Sequence, residues 1–262
     1  MPPLQFFGIH HFLEQTMRKT WTSVVVGSAL WACMGAWAAD VPHWSYAGED
    51  GPAEWARLTP ENATCAGRNQ SPINLVGFIH AQLKPIHFAY QAGGTEILNN
   101  GHTVQVNYAP GSSITLDGTV FELKQFHFHA PSENQIRGKS YALEGHLVHA
   151  DKDGNLAVVA VMFREGAANK ALAKIWPLMP TEAGAKMALP QAFAAAGLLP
   201  ANRAYYRFSG SLTTPPCSEG VRWLVMKAPV SASGEQIEAF THVMHHPNNR
   251  PVQAVNGRTV LE

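Results

Sequence analysis

Charged residues are scarce in this chain, and neither sign predominates. Only 15% of the 262 residues are charged, and Lys plus Arg and Asp plus Glu both total 19. A protein without a net field of either sign has no general attraction for nucleic acid or for an anionic membrane surface. The composition therefore predicts no nucleic-acid partner and favours a small, weakly charged ligand.

The sequence also lacks an apolar run long enough to cross a bilayer. The main candidate, residues 21–32, follows Arg18 and Lys19 and is shorter than the roughly 20 residues that a membrane span needs. Because Ala36-Trp37-Ala38 then supplies small residues at a cleavage spacing, the pattern predicts a secretory leader over residues 1–38, cleaved near Ala38. No stable membrane span is expected, and a transmembrane anchor is the alternative.

Two details of this leader stay open. Met17 is an alternative start of translation, in which case residues 1–16 are an artefact or an extended leader. The residues before Cys33 vaguely resemble a lipoprotein cleavage site, although the bulky Trp31 is a poor match.

Cysteine is rare as well. Removal of the leader takes away Cys33 and leaves Cys65 and Cys217 of the three cysteines. An oxidising compartment favours a disulfide between them, which would close a loop of about 150 residues and stabilise the fold by a few kcal/mol in the chain-entropy model. Two unrelated buried thiols are the alternative.

No internal repeat, low-complexity tract or linker interrupts residues 39–262, which predicts a single domain. Short stretches with period-two alternation between turn residues predict strands. They cover residues 103–108, 113–116, 121–129, 142–149, 156–163, 205–212 and 221–228, with Asp153-Gly154 as a hairpin turn. The few helix signals cover residues 170–176, 190–196 and 233–245. The predicted fold class is therefore mainly β (α+β), with a central sheet and short peripheral helices.

One predicted strand carries two histidines on the same face. Polar and aromatic residues alternate from Gln125 to His129. Side chains of a strand point alternately to its two faces, so Gln125, His127 and His129 share one face while two Phe rings are buried on the other. By itself a His-x-His pair is a weak signal, and two satisfied core or surface histidines are the alternative.

A third histidine is expected beside this pair. Glu144, His146 and Val148 share one face of a later predicted strand, and residues 130–141 are long enough to return the chain antiparallel. Three neutral imidazoles with one open position are the catalytic arrangement for Zn²⁺. A competing set with helical spacing is interpreted as an exposed helix end and consists of His242, His245 and His246.

Several motifs together resemble the α-class carbonic anhydrases. The signature segments are Gln125-Phe-His-Phe-His129, Glu144-Gly-His146-Leu-Val-His149 and Ser211-Leu-Thr-Thr-Pro-Pro216. The resemblance runs in order through His43-Trp44-Ser45-Tyr46, Gln70-Ser-Pro-Ile-Asn74, Asn99-Asn-Gly-His102, Arg222-Trp223 and Asn249-Arg-Pro-Val-Gln253, and so covers essentially the whole exported chain. It implies a large, twisted, mostly antiparallel sheet with the metal at the bottom of a conical cleft. The short 130–141 connection and the cysteine pair resemble bacterial members, which implies a disulfide and a periplasmic or secreted protein.

The resemblance also implies roles for individual residues. The zinc ligands are His127, His129 and His146, and the partners of their rings are Gln125, Glu144 and the Asn248 backbone. Thr213 would accept a hydrogen bond from zinc-bound hydroxide while donating its own proton to an ionised Glu133, with Thr214 beside it. His102 would shuttle protons along a water-filled path lined by Tyr46, Asn100 and Gln105. The apolar wall for carbon dioxide would consist of Val148, Val158, Leu212, Val221 and Trp223.

The activity that the resemblance implies is the reversible hydration of carbon dioxide to bicarbonate and a proton. The alternative is a non-catalytic binding module with the same fold. A zinc peptidase is disfavoured because the chain has no His-Glu-x-x-His helix. A homodimer is left open.

Overall fold

Strands dominate the part of the chain that the structure, a computed structural model, describes: residues 43–262. The predicted leader, with Met17, Cys33 and the cleavage position, lies outside the described residues. The strands within residues 43–262 are β1 Asn74–Leu75, β2 Phe78–Ile79, β3 His87–Ala89, β4 Ala92–Asn99, β5 Val104–Tyr108, β6 Ser113–Leu116, β7 Thr119–His129, β8 Gln135–Ile136, β9 Leu143–Ala150, β10 Leu156–Glu165, β11 Lys186–Ala194, β12 Tyr205–Ser211, β13 Glu219–Met226, β14 Val230–Ala232 and β15 Val260–Leu261.

Most of these strands belong to one large sheet. Its main order is β11-β4-β5-β7-β9-β10-β13-β12-β15-β2, while β14 pairs with β10, and β6 with β7 and β3. The pairings are antiparallel except those of β10 with β13, β10 with β14, and β15 with β2. β1 and β8 form a separate parallel pair. The predicted mainly β fold with a large, mostly antiparallel sheet is confirmed.

A bulge in β7 decides which face its side chains occupy. The inward-facing apolar positions are odd-numbered before the bulge and even-numbered after it: Phe121, Leu123, Phe126 and Phe128. The register against β9 shifts at the exposed Lys124, because one extra residue on one strand reverses the alternation that follows. His127 and His129 consequently lie on the face opposite the Phe rings.

The neighbouring strand β10 is buried on both faces. Val159 and Val161 join the cluster that contains Phe126 and Phe128, whereas Val158 joins a second cluster on the face of the histidines. A continuous apolar run is typical of such a strand. β10 therefore separates the main core from the floor of the histidine site.

The helices lie outside the sheet and are short. They are α1 Trp55–Leu58, α2 Leu172–Ile175 and α3 Gly234–Met244, with 3₁₀ turns at Gly48–Asp50, Pro60–Ala66, Trp176–Leu178 and Ala195–Leu198. α3 begins with a capping box, because the Gln236 backbone N–H donates to Ser233 Oγ at 3.3 Å and the Ser233 N–H donates to Gln236 Oε1 at 3.1 Å. The helices predicted over residues 170–176 and 233–245 are confirmed to within a few residues.

The helix predicted over residues 190–196 is wrong. That segment lies mainly in β11, which pairs antiparallel with β4, and only Ala195–Leu198 forms a 3₁₀ turn. Its alanines favour a helix, but pairing with β4 overrides that weak preference. Pro190 is accommodated because β11 is an edge strand whose register is irregular there.

Residues 43–262 belong to one compact unit, as the single-domain prediction requires. Among them, no helix combines the length and the apolar character that crossing a bilayer demands.

Candidate metal centre

Three imidazole rings converge on one face of the sheet. His127 on β7 lies directly opposite His146 on β9, and His129 lies two residues further along β7. One nitrogen from each ring lies within 4.8 Å of the other two, and no other such group of His, Cys, Asp or Glu occurs among residues 43–262. Antiparallel pairing of two alternating strands thus brings the predicted ligand residues together.

The second nitrogen of each ring has a nearby oxygen. Nδ1 of His127 lies 2.8 Å from Gln125 Oε1, and Nδ1 of His129 donates to the Asn248 carbonyl at 2.7 Å. Because a carbonyl oxygen can only accept, His129 carries its proton on Nδ1, and the lone pair of Nε2 points into the site.

The third ring is turned the other way. Nε2 of His146 lies 3.0 Å from Glu144 Oε1, close but not aligned as a regular hydrogen bond. Its Nδ1 is therefore the nitrogen that faces the other two rings. Oxygen partners of this kind fix the orientation and protonation of metal-binding imidazoles.

The environment keeps the three rings neutral. Burial is the main cause that lowers the pKa of each, and the neighbouring imidazoles lower those of His127 and His146 further. His129 Nε2 is fully buried and has no hydrogen-bond partner among the described residues, which is costly for a polar atom unless it binds something. Three neutral nitrogen donors without a fourth protein donor in the group match a catalytic zinc site.

Glu133 borders the ligand nitrogens. Its Oε2 lies 3.5 Å from His129 Nε2 and 3.9 Å from His146 Nδ1, and its Oε1 accepts the Arg250 N–H at 2.9 Å. Burial raises the pKa of this carboxyl well above its usual range, while the Arg250 N–H and the Thr213 hydroxyl oppose that shift. The Thr213 hydroxyl thus lies close enough to interact with Glu133, although no hydrogen bond of regular geometry joins the two.

Two residues that hold the carboxylates were not singled out from the sequence. Asn134 donates to both oxygens of Glu144, from its backbone N–H and from Nδ2, each at 2.7 Å. Arg250 holds Glu133 through its backbone N–H. Its buried guanidinium fixes that backbone by donating to Gln70 Oε1 and to the Cys65 carbonyl, at 2.8 and 3.0 Å. The sequence feature that could have indicated Asn134 is the polar triplet Ser132-Glu133-Asn134 in a short connection between two predicted strands.

The loop after β12 carries Thr213 and Thr214 and is tied at its far end. The Cys217 N–H donates to the Thr214 carbonyl at 2.8 Å, and Cys217 forms a disulfide with Cys65 across 152 residues of chain. The predicted disulfide is confirmed. Thr213 is buried and Thr214 is half-buried at the edge of the site.

An apolar wall lies beside the rings. Its members belong to or pack against the second cluster: Val148, Val158, Leu212, Val221 and Trp223. The rings of Trp223 and His146 lie 4.9 Å apart between centroids, edge to face. All five residues predicted for this wall lie on the histidine side of the sheet.

His102 lies at the rim and is held from two sides. Its N–H donates to Asn100 Oδ1 at 2.9 Å, and its carbonyl accepts from Asn248 Nδ2 at 3.0 Å. Its ring stacks on Trp44 at 3.7 Å between centroids. Burial, followed by the nearby His43 and His246, lowers the pKa of His102 to about 4.

The other residues predicted for the proton path, Gln105, Tyr46 and Asn100, differ in their surroundings. Gln105 on β5 lies opposite His127 on β7, so the two side chains share a face. Burial and the charge of Glu133 raise the pKa of Tyr46, so its hydroxyl stays protonated. Asn100 instead caps its turn by accepting from the N–H groups of His102 and Thr103.

Two other features do not compete with this site. His242, His245 and His246 lie at the exposed end of α3 and do not converge as a ligand group. A cavity of about 600 Å³ between β11 and α2 is lined by Lys170, Ile175 and Phe193, among others, and includes none of the predicted site residues.

Known proteins share this sequence and fold. A family model described as eukaryotic-type carbonic anhydrase matches residues 50–262. A carbonic anhydrase of Pectobacterium carotovorum is 52% identical over 230 residues, which cover 87% of this chain and 94% of that protein. A carbonic anhydrase of Klebsiella pneumoniae is 50% identical over 223 residues, covering 84% and 91% of the two chains.

A solved structure has the same fold. The α-carbonic anhydrase of Thermovibrio ammonificans, in complex with the inhibitor sulfanilamide, is 49% identical, with a TM-score of 0.83 over 84% of this chain and 99% of that chain. The family model, the identity of the relatives and the three-histidine site agree, and this chain belongs to the eukaryotic-type (α-class) carbonic anhydrase family, whose metal is zinc.

Proposed function

We propose that this chain catalyses the reversible hydration of carbon dioxide to bicarbonate and a proton at the three-histidine centre, with zinc as its cofactor. The observation that carries the proposal is the convergence of His127, His129 and His146, with one donor nitrogen of each within 4.8 Å of the others. A zinc ion held there supplies a Lewis acid that makes water nucleophilic at neutral pH. The non-catalytic binding module is not favoured, because the ligand residues, Thr213 and Glu133 are all present.

Thr213 orients the nucleophile in this proposal. Its hydroxyl has one proton, so it accepts a hydrogen bond from the attacking oxygen in a defined direction only when its own proton is donated to Glu133. That requires an ionised Glu133, which the Arg250 N–H and the Arg250 charge favour against the effect of burial. A bound dication nearby adds to the same preference. Thr214 lines the site beside it.

The apolar wall binds the substrate. Carbon dioxide has no net charge and only weak hydrogen-bonding groups, so a surface without strong polar competitors suits it. Val158, Val221 and Trp223 are each almost fully buried there, and Val148 and Leu212 complete the surface next to His146. The wall holds carbon dioxide next to the nucleophile without replacing it.

His102 carries the product proton to the rim. An imidazole at the mouth of the site can accept a proton from the water-filled interior and release it to buffer. Tyr46, Asn100 and Gln105 line or shape the path, Asn100 chiefly by fixing the turn that presents His102.

Replacement of the Thr213 hydroxyl tests the proposal. Thr213→Val keeps the shape and removes the acceptor, and we expect kcat/KM for carbon dioxide hydration to fall about 100-fold. Thr213→Ser keeps the hydroxyl, and we expect it to lose less than about tenfold. Stopped-flow hydration assays on proteins of equal zinc content separate the two variants. Equal activity of both would refute the role of Thr213.

We further propose that residues 1–38 are a cleaved leader and that residues 39–262 function in the periplasm or outside the cell. The Cys65–Cys217 disulfide supports export, because disulfides persist in oxidising compartments. N-terminal sequencing of exported protein tests the cleavage near Ala38 and the alternatives at Met17 and Cys33. Analytical ultracentrifugation of the same material distinguishes a monomer from the homodimer that the sequence leaves open.

A further inference from the structure

The cavity of about 600 Å³ between β11 and α2 is lined mainly by apolar side chains. Ile175 and Phe193 in its lining belong to the main core cluster, and the partly buried Leu178 and Leu189 pack against that cluster. The Phe193 ring lies 5.3 Å from that of Phe126 between centroids, so the cavity lies on the side of the sheet opposite the ligand histidines. A volume of this size is typical of a site for one small molecule.

The cavity lies where β11 leaves the ladder with its partner strand. Ala188 pairs with Glu96, and the next paired residue, Phe193, pairs with Gly94, so residues 189–192 lie opposite a single residue of β4. All four of these residues line the cavity. Extra residues on one strand bend it away from its partner, and such bulges are common beside functional sites. The opening is therefore part of the backbone path of β11.

Two exposed lysines, Lys170 and Lys174, also line the cavity. They are four residues apart on the turn that leads into α2, and this spacing places two side chains on the same side of a helical turn. Asn169 fixes the turn, because its carbonyl accepts from the Ala173 N–H at 3.0 Å and its Oδ1 accepts from the Leu172 N–H at 3.1 Å. Two cations are thereby held beside the apolar lining.

The charges at the cavity are of one sign. No Asp or Glu of residues 43–262 lines it. Within the same residues neither Lys170 nor Lys174 forms an ion pair, whereas Lys186 of β11 pairs with Glu96 at 3.2 Å. A lysine can lay its hydrocarbon stem along apolar surface while its amine stays in water. Two such amines beside an apolar cavity favour a ligand with a carboxylate at one end and a hydrocarbon chain at the other.

We propose that this cavity binds a medium-chain fatty acid, with the alkyl chain against the apolar lining and the carboxylate at Lys170 and Lys174. Burial of the chain supplies most of the affinity. The two amines add a smaller part that falls with rising salt concentration, because exposed charges are screened. Binding is non-covalent and does not depend on the hydration of carbon dioxide at the metal centre.

Isothermal titration calorimetry of the zinc-loaded protein with decanoate tests this site. We expect one decanoate per chain, with a Kd of about 100 µM or below. Lys170→Gln/Lys174→Gln should weaken binding about tenfold at low salt, because two exposed ion pairs are lost. Ala192→Trp introduces an indole at an exposed position of the cavity lining, and it should abolish binding by occupying the space of the alkyl chain.

Lys186→Gln is the matched control, because Lys186 is an exposed lysine of β11 outside the cavity lining, and it should bind decanoate like the wild type. Decanol, which has the same chain without the charge, should bind equally to the wild type and to Lys170→Gln/Lys174→Gln.

Four results would overturn the proposal. The first is a wild type that does not bind decanoate, and the second is an affinity that falls equally in Lys186→Gln and Lys170→Gln/Lys174→Gln or in neither. The third is undiminished binding to Ala192→Trp, which would place decanoate elsewhere, for example at the zinc. The fourth is a dimer that dissociates in Ala192→Trp and does not bind decanoate, since a second copy of the chain would then cover the cavity.

Discussion

The backbone carbonyl of Asn248 accepts a hydrogen bond of 2.7 Å from Nδ1 of His129. The Asn248 side chain accepts from the Ala130 N–H at 2.8 Å and donates to the carbonyls of Phe128 and His102. One buried side chain therefore joins the end of β7, the turn of His102 and the loop after α3. Its backbone orients a zinc ligand, and its side chain holds that backbone in place.

Asn248→Ala should destabilise the fold. The change keeps the carbonyl that accepts from His129, but it leaves the buried Ala130 N–H without its partner and removes one donor each from the carbonyls of Phe128 and His102. An unpaired buried group costs about 1–3 kcal/mol in other proteins. Because a water can replace part of this, we expect the free energy of unfolding in urea to fall by about 2–4 kcal/mol. The half-buried neighbour Asn249 is the control, and Asn249→Ala should change it by less than about 0.5 kcal/mol. Equal stability of the two variants would contradict the anchoring role.

Glu144→Gln should weaken zinc binding. Glu144 lies 3.0 Å from His146 Nε2 and accepts two hydrogen bonds from Asn134, one at each oxygen. Glutamine at this position removes the negative charge, and its NH₂ group would face an N–H donor in place of one of the two oxygens. Loss of such a partner typically lowers metal affinity about 10–100-fold. Competition with a zinc chelator measures the effect. Glu122→Gln, at a half-buried position of β7 where the carboxylate pairs with Lys124, should leave the affinity unchanged. Equal affinities for both variants would argue against this role of Glu144.

Loss of the disulfide should lower stability and disturb the loop of Thr213. The bond closes 152 residues of chain, and removal of a native disulfide typically costs about 2–5 kcal/mol. We expect Cys65→Ala/Cys217→Ala to show this loss in urea denaturation. We also expect a lower kcat/KM, because the disulfide anchors the end of the loop that carries Thr213 and Thr214. Reductant should bring the wild type to the level of the variant and leave the variant unchanged. A wild type whose stability and kcat/KM do not change with reductant would contradict this role of the disulfide.

His149 should make the fold less stable in acid. It is fully buried, its Nδ1 donates to the Ala157 carbonyl and its Nε2 accepts from the Tyr90 hydroxyl, and burial lowers its pKa to about 4. Since the unfolded chain binds a proton near pH 6.5, stability from this group is complete above that pH and is lost as the pH falls from about 6.5 to about 4. The loss amounts to roughly 3 kcal/mol.

His149→Gln isolates this contribution. The amide keeps an acceptor for the Tyr90 hydroxyl but does not titrate, so the slope of unfolding free energy against pH between 4 and 6.5 should be shallower than in the wild type. Urea denaturation at several pH values measures both slopes. Parallel curves would show that His149 does not titrate between the folded and unfolded states.

The ligand strands were predictable because their signal is local. Alternation along residues 125–129 and 144–148 places polar side chains on one face whatever the rest of the fold does. The bulge at Lys124 was not predicted, although the change from odd-numbered to even-numbered apolar positions between Leu123 and Phe126 marks it. The prediction of one regularly alternating strand over residues 121–129 did not take that change into account.

The edge of the sheet was harder to predict because its sequence is determined by contacts with distant residues. β4 contains Gly93 and Gly94, where a Cβ would lie only 2.7 Å from the Tyr108 ring and 2.9 Å from the Phe193 Cβ. Glycine is required by these close approaches but weakens any strand pattern in the sequence. β11, its partner, is alanine-rich and mostly exposed, so its pairing with β4 left no period-two signal.

Hydrogen bonds from backbone groups to site residues also cannot be recognised from residue types in the sequence. The Asn248 carbonyl and the Arg250 N–H hold His129 and Glu133 through groups that nearly every residue possesses. Only the family resemblance suggested the first, and nothing in the sequence suggested the second. Side-chain chemistry is visible in a sequence, whereas the position of a distant backbone group follows only from the fold.

Metal content, measured together with stopped-flow carbon dioxide hydration, tests most directly whether one zinc ion held by His127, His129 and His146 makes this chain a carbonic anhydrase. We expect about one zinc per chain, loss of activity after chelation, full recovery on adding zinc, and neither tight zinc binding nor activity in His129→Ala. Undiminished hydration by zinc-free protein, or by His129→Ala, would contradict the account.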